Sequence, residues 1–406
     1  MKSDTPKVLH KVAGLPVLRW VVNAAEALNP DEVVAVVGHG ADEVRKKFTD
    51  DKLTFVNQSP QLGTGHAVMQ AAPQLKGFKG DVLVLAGDVP LLRHDTLTRL
   101  LKNHRDSKAK ATVLTAKLPD PRGYGRIVRD TSGRVLRIVE QKDLSAEHAE
   151  IEEFNSGTYV FDAAALLKRL DKLTTNNAQK EYYLTDVIGL LCQGGQHVGA
   201  TLTDAVEVQG INTRKDLALC DVAARSGILE DLMLNRGVTV LDPGNTYIEA
   251  GVEIGRDTIV YPSTVIHSGV VIGERCEIGP FAHIRGGTKV GNDCKIGAFV
   301  ETKNAIYGDG AKSGHLAYMG DVTLGKNVNI GAGSIVANYD GKKKHKTQIG
   351  DGAFIGCGTV LVAPVKVGKN AQTGANTVVP RGKDVPDDTI VVGAPARVLR
   401  KKTSGE

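Results

Sequence analysis

Cysteine is scarce and scattered in this chain. Five occur in 406 residues (Cys192, Cys220, Cys276, Cys294, Cys357), an odd number with no CxxC pair. That spacing argues against a disulfide framework or a structural zinc site and predicts a reducing cytoplasm. No run of about 18 apolar residues is present, which excludes a membrane-spanning helix. The start, MKSDTPKVLHK, lacks an apolar stretch fit for a signal peptide. Charge of one sign is also missing: 51 Lys+Arg against 46 Asp+Glu leave +5, spread along the chain, so no nucleic-acid footprint is expected. Aromatics are only 4%.

Glycine is abundant and uneven. Of 46, 18 lie in residues 1–236 and 28 in the rest, which suggests two architectures in one chain. The first half alternates short β-branched runs (Glu32 to Val37, Asp81 to Leu85, Ala111 to Thr115) with amphipathic stretches such as Leu15 to Leu28 and Asp95 to Asn103. This pattern predicts an α/β, Rossmann-like domain with a parallel or mostly parallel sheet over 1–213. Ligands then sit beyond the carboxyl ends of strands. Residues 214–236 have helical apolar spacing and are read as a connecting helix.

The second half, 237–406, is a repeat. Ile248, Ile254, Val260, Ile266, Ile272, Ile278, Ile284, Val290 and Ile296 recur every six residues. The register returns at Leu324, Ile330 and Val336, and again from Ile349 to Val367. Period six with a branched aliphatic is the signature of a hexapeptide-repeat, left-handed parallel β-helix. Glycine often follows the aliphatic residue, which is read as a positive-φ corner. Thr302 to Asp321 and Ala337 to Gln348 break the register and are read as loops leaving the solenoid, where function commonly sits.

Several residues could carry chemistry. Asp88 follows the Asp81–Leu85 strand, where a carboxylate can hold Mg²⁺ against a triphosphate or simply cap the next helix. Gln61 to Ala67 is a glycine-rich turn opening a helix, suited to a phosphate or base edge. Gly38 to Glu43 fails the dinucleotide fingerprint. Lys7 is a phosphate contact or a solvated lysine. His315 is a structural histidine or a base that takes a proton from an attacking amine. The run Lys342 to Lys346 is a solvated loop or a phosphate clamp. Cys276, Cys294 and Cys357 are read as structural. No zinc reading survives the spacing of His267, His283, His315 and His345.

The ordered motifs PKVLHKVAGLPV, QLGTGHAV, GDVPLL, GYGRIVRD, EFNSGTYVF, KSGHLAYMGD and NVNIGAGSIVANYDG resemble the bacterial bifunctional GlmU family over nearly the whole chain. That family joins an N-acetylglucosamine-1-phosphate uridylyltransferase to a glucosamine-1-phosphate N-acetyltransferase. The resemblance implies UDP-N-acetylglucosamine synthesis for cell-wall and lipopolysaccharide precursors, with UTP and acetyl-CoA as co-substrates. It implies that Lys7, Gln58, Gly63, Thr64, Gly87, Asp88, Gly125, Glu140, Asn155 and Asn212 bind the nucleotide sugar, and that Asp88 and Asn212 hold Mg²⁺. Arg285, Lys303, Tyr318, Asn329 and Lys344 would bind glucosamine phosphate, with His315 as catalytic base. Ala332, Asn338, Tyr339, Cys357, Ala375 and Arg397 would bind acetyl-CoA. A homotrimer is implied, without nucleic-acid or membrane partners.

Three departures from the family qualify those expectations. Family members carry a first strand and a glycine-rich L-A-A-G-x-G-T-R-M loop, and Met1 stands at that loop's last position. A chain truly starting there would lose a central strand and have impaired uridylyl transfer. The β-helix is short by one to two coils before Arg285. The end, Val392 to Arg397, is closer to other hexapeptide acyltransferases. The competing expectation is a trimeric hexapeptide acetyltransferase with a non-catalytic first domain.

Overall fold

The computed structural model describes residues 1–49 and 52–401. Contacts divide the chain into two compact units, Met1–Ala223 and Ala224–Glu406. The helix Arg214–Leu234, anticipated as the connector, runs across that division.

In the first unit the strands Val33–Val37 and Leu53–Asn57 pair in parallel as a separate two-stranded sheet. Lys11–Val12 and Leu15–Pro16 form another such pair, antiparallel; a six-stranded sheet holds the other strands, and here the expectation of a mostly parallel sheet needs correction. Only Val198–Leu202 and Ala111–Lys117 run parallel as neighbours. The ten-residue strand Glu153–Asp162 inserts between Asp81–Val84 and Ala111–Lys117 and is antiparallel to both. The hairpin Arg126–Arg129/Val135–Val139 extends the sheet beside it, again antiparallel. The long strand shields the sheet's middle: Phe154, Val160 and Phe161 are fully buried.

The second unit is a three-sided solenoid with sheets of ten, eight and seven strands. In each two-residue strand the second side chain points inward, as Ile248, Ile266, Ile278 and Ile284 do at 0% exposure. Each such aliphatic contributes roughly 1.5–3 kcal/mol by leaving water. The glycines after them serve a different purpose from the one anticipated. Ten glycines directly follow an aliphatic residue of the six-residue register, from Gly255 to Gly368, and of these only Gly279 has positive φ. The others lie against the next coil: a Cβ on Gly255 would stand 2.7 Å from the Gly273 carbonyl carbon, and one on Gly331 2.6 Å from the Cys357 backbone nitrogen. Positive φ is carried instead by corner residues such as Asp257, Asp293, Asn327 and Asn370.

Coil length explains the register breaks. Early coils repeat every 18 residues, as in Ile266↔Ile284. The next two coils are each one residue shorter: Val290 pairs Tyr307 and Tyr307 pairs Leu324, both 17 apart. Leu324 pairs Ile349, 25 apart, so the coil gains 25 − 18 = 7 residues. The segment Thr302 to Asp321 is therefore no loop. It continues the coil one residue short, and His315 ends the strand Lys312–His315. Only the second break is an insertion.

Gly331→Ala is expected to lower stability by about 1–3 kcal/mol, because the adjoining coil must move. Gly227→Ala, in the Arg214–Leu234 helix with open space around it, should stabilise by up to about 1 kcal/mol. Thermal melting of both variants checks the contrast.

Candidate functional sites

In the first unit the turn after Asp81–Val84 presents Asp88. The amide of Ile211 donates to the Asp88 carbonyl at 3.0 Å, bringing a segment more than 120 residues away alongside. Asn212 and Thr213 donate their amides to Asp216 Oδ2 at 3.0 and 2.7 Å, which sets that segment at the head of the helix. The Lys7 ammonium reaches Asp88 Oδ2 at 2.5 Å and Asn212 Oδ1 at 3.1 Å. Three residues from distant parts of the chain thus meet at one point.

The glycine-rich turn is held by another remote segment. Gly65 donates its amide to the Tyr182 carbonyl at 2.7 Å, and Leu184 donates to Thr64 Oγ1 at 3.1 Å. Gly63 has φ 104 and would place a Cβ 2.6 Å from the Tyr182 oxygen, so only glycine fits. Gln58 Nε2 donates to the Gly63 carbonyl at 2.9 Å and lies 3.3 Å from His66 Nδ1. Gln58, Gly63 and Thr64 therefore share one rim, at the start of the helix Thr64–Ala71.

Gly125, Glu140 and Asn155 also converge. Asn155 donates its amide to the Gly125 carbonyl at 2.9 Å. Glu140 Oε2 lies 3.4 Å from the Cβ position of Gly125, and Oε1 accepts from Thr185 Oγ1 at 2.9 Å. Burial, with Asp186 and Asp143 nearby, pushes the Glu140 carboxyl above its usual range. Tyr124 was not anticipated. It lies between Gly123 and Gly125, and burial first, then the Asp216 and Asp88 charges, push its phenol up. Only its place in the GYG motif could have signalled it.

In the second unit, coil stacking collects the cations. Arg285 follows the strand His283–Ile284, and Lys303 ends Glu301–Lys303 on the same eight-stranded face. Lys344 comes from the seven-residue insertion. Lys344 first, then Arg285, hold the Lys303 ammonium below its usual range. Arg285 is paired with Glu301 at 2.9 Å. Three crowded cations could hold an anion such as a phosphate. Tyr318 and Asn338 lie beside it, since a Cβ on Gly320 would stand 2.6 Å from both the Tyr318 hydroxyl and Asn338 Nδ2. Asn338 donates to Asp321 Oδ2 at 2.5 Å.

The insertion is a tight hairpin bridged at Tyr339↔Lys344. Asp340 ties it: its carboxylate accepts from the Lys343 and Lys342 amides, His345 Nε2 at 2.7 Å and Arg381 Nη2 at 3.1 Å. These donors hold the Asp340 carboxyl far below its usual range. The sequence reading missed Asp340, whose signal was an Asp-Gly turn just before a basic run. It also missed that coil stacking brings His267 and His283 within 2.9 Å, sixteen residues apart.

His315 pairs with Ala298 on the coil below and is exposed. It precedes the corner residue Leu316, as Ala332, Cys357 and Ala375 precede Gly333, Gly358 and Asn376. The Gly358 amide donates to the Ala332 carbonyl at 2.8 Å and the Asn376 amide to that of Cys357 at 2.7 Å. These four residues form a column along one edge. Asn329 lies on the ten-stranded face, away from Lys303 and Tyr318. Arg397 lies on the antiparallel strand that closes that sheet. Among the described residues, no three His, Cys, Asp or Glu side chains form a metal cluster, and no helix is long and apolar enough to cross a membrane.

Fold and sites define a transferase: a nucleotidyltransferase unit followed by a hexapeptide-repeat unit. The family description "Nucleotidyl transferase" matches residues 2–210, and "Bacterial transferase hexapeptide (six repeats)" matches 269–304 and 346–381. The chain is 45% identical to Bifunctional protein GlmU of Fervidobacterium nodosum, covering 99% of this chain and 93% of that protein. Identity to Bifunctional protein GlmU of Caldanaerobacter subterraneus subsp. tengcongensis is 44%, covering 97% and 92%. For that of Pelobacter propionicus it is 44%, covering 99% and 94%. The chain belongs to the GlmU family.

The raised pKa of Glu140 has a testable sign. The fold favours its protonated form, so stability falls as pH rises through the folded-state value. Glu140→Gln is expected to melt above the parent at neutral pH. The gap should narrow as pH falls toward about 4, the ordinary carboxylate range.

Proposed function

We infer that the chain makes UDP-N-acetylglucosamine in two transfers. The second unit moves an acetyl group from acetyl-CoA to glucosamine-1-phosphate. The first joins the resulting N-acetylglucosamine-1-phosphate to UTP and releases pyrophosphate. The observation that carries this reading is that the second unit has a cation cluster and, one corner before Tyr318, the exposed His315, while the nucleotidyltransferase unit has its own carboxylate–amide pair.

For acetyl transfer, Arg285, Lys303 and Lys344 bind the sugar phosphate, and Tyr318 orients the sugar. His315 takes the proton from the amine as its nitrogen attacks the thioester carbonyl; the C–S bond breaks and CoA leaves. Ala332, Asn338, Tyr339, Cys357, Ala375 and Arg397 line the coenzyme track. Asn329 lies on the ten-stranded face with His315, one coil on from Lys312, and is read as a further sugar contact; the enzyme acts as a homotrimer. An exposed ridge points the same way. Phe281 and Phe299 stack at 5.0 Å, 51% and 59% exposed, with Leu316 one coil on. All three hold positive φ, a costly conformation for bulky residues.

For uridylyl transfer, Gln58, Gly63 and Thr64 read the uracil, and Gly87 borders the phosphates. Gly125, Glu140 and Asn155 hold the sugar. One carboxylate and one amide oxygen already converge on a cation, Lys7, so Asp88 and Asn212 fit Mg²⁺, which takes few protein ligands beside phosphate oxygens. When bound, Mg²⁺ would neutralise charge on the phosphates. Lys7 steadies the phosphate under attack. We place the enzyme in the cytoplasm.

His315→Ala is expected to cut CoA release by about 10²–10⁴-fold with the fold intact; unchanged turnover removes His315 from the mechanism. Asp88→Asn should abolish pyrophosphate release and leave CoA release unchanged. Phe281→Ser with Phe299→Ser should shift sedimentation from trimer to monomer. A persistent trimer would refute the ridge as an interface.

A further inference from the structure

Lys7 bridges the same two oxygens that a divalent cation would take, Asp88 Oδ2 at 2.5 Å and Asn212 Oδ1 at 3.1 Å. Both partners are reachable: the side chains of Lys7 and Asp88 are 37% and 25% exposed. The lysine backbone is anchored. It opens the short turn Lys7–Leu9, where the Leu9 amide donates to the Pro6 carbonyl at 2.9 Å and the His10 amide to that of Lys7 at 3.3 Å. Its ammonium can therefore leave Asp88 by side-chain rotation alone.

Charge decides when it leaves. A divalent cation arriving alone must break the Lys7–Asp88 pair and leave two cations crowded beside one carboxylate. A cation arriving with a triphosphate brings several negative charges. The displaced ammonium then finds a phosphate oxygen, and both cations stay paired.

We propose that Lys7 is an exchangeable internal counter-ion: it occupies the Asp88–Asn212 oxygens in the free enzyme and yields them only to metal delivered with the nucleotide. This rests on the assignment of Asp88 and Asn212 as the metal pair. The consequence is an order of binding. The free enzyme takes metal poorly, the site is held in shape by the lysine, and one rotation both opens the metal site and delivers the ammonium to the phosphate.

The test is Mn²⁺ binding without nucleotide, followed by electron paramagnetic resonance of the free ion, on the full chain. The variants are Lys7→Met, Lys7→Gln as a second neutral form, and Lys7→Arg, with circular dichroism reporting the fold. Removing the ammonium should tighten Mn²⁺ binding by up to about fivefold, the scale of a part-exposed ion pair. Lys7→Arg should bind as the parent does, and Asp88→Asn placed on Lys7→Met should erase the gain. Equal Mn²⁺ affinity in the parent and both neutral variants, still lost on Asp88→Asn, would overturn the counter-ion and leave the metal pair standing. Binding indifferent to Asp88→Asn throughout would overturn both.

Discussion

Successive coils of the second unit rest on one another's backbones at distances that leave no room for a Cβ. A Cβ on Gly297 would meet the Gly314 carbonyl oxygen at 2.1 Å, and one on Gly356 the Thr373 oxygen at 2.4 Å. That contact aligns the stack, so each residue has a defined neighbour one coil away. His315, Ala332, Cys357 and Ala375 fall in one column because of it. Lys303 comes near Arg285 for the same reason. A coil can lose one residue or gain seven, but only if the strands on either side return to register, as Ile330↔Ile355 does.

The first unit obeys a different constraint. Its site is assembled from segments far apart in sequence and tied by backbone hydrogen bonds. Ile211 binds the Asp88 carbonyl, Tyr182 binds the Gly63–Gly65 turn, and Asn155 binds Gly125. The two sites differ in charge: crowded cations in one, a buried carboxyl held toward its neutral form in the other.

Much of this was legible in the sequence, for a physical reason. A six-residue period reports inward-facing positions directly, so the period alone places Ile248 to Val367 in the solenoid core. Register breaks were visible too, yet their meaning was not: Thr302 to Asp321 is one residue short, which reads like a loop until Val290 is seen to pair Tyr307. The glycine pattern was clear but its cause was misread, because close approach between coils is a contact across 17 to 25 residues that no local rule contains. Sheet polarity failed likewise. The insertion of Glu153–Asp162 between two parallel-looking strands is set by tertiary packing, Tyr124 meets charges remote in sequence, and Asp340 ties its own hairpin to the distant Arg381.

The most direct test supplies glucosamine-1-phosphate, acetyl-CoA, UTP and Mg²⁺ to the purified chain together and follows the products by mass spectrometry. The account predicts UDP-N-acetylglucosamine with one CoA and one pyrophosphate per molecule, and no UDP-N-acetylglucosamine when acetyl-CoA is withheld. N-acetylglucosamine-1-phosphate accumulating with CoA but without the UDP-sugar would contradict it, because the first unit would then play no catalytic part.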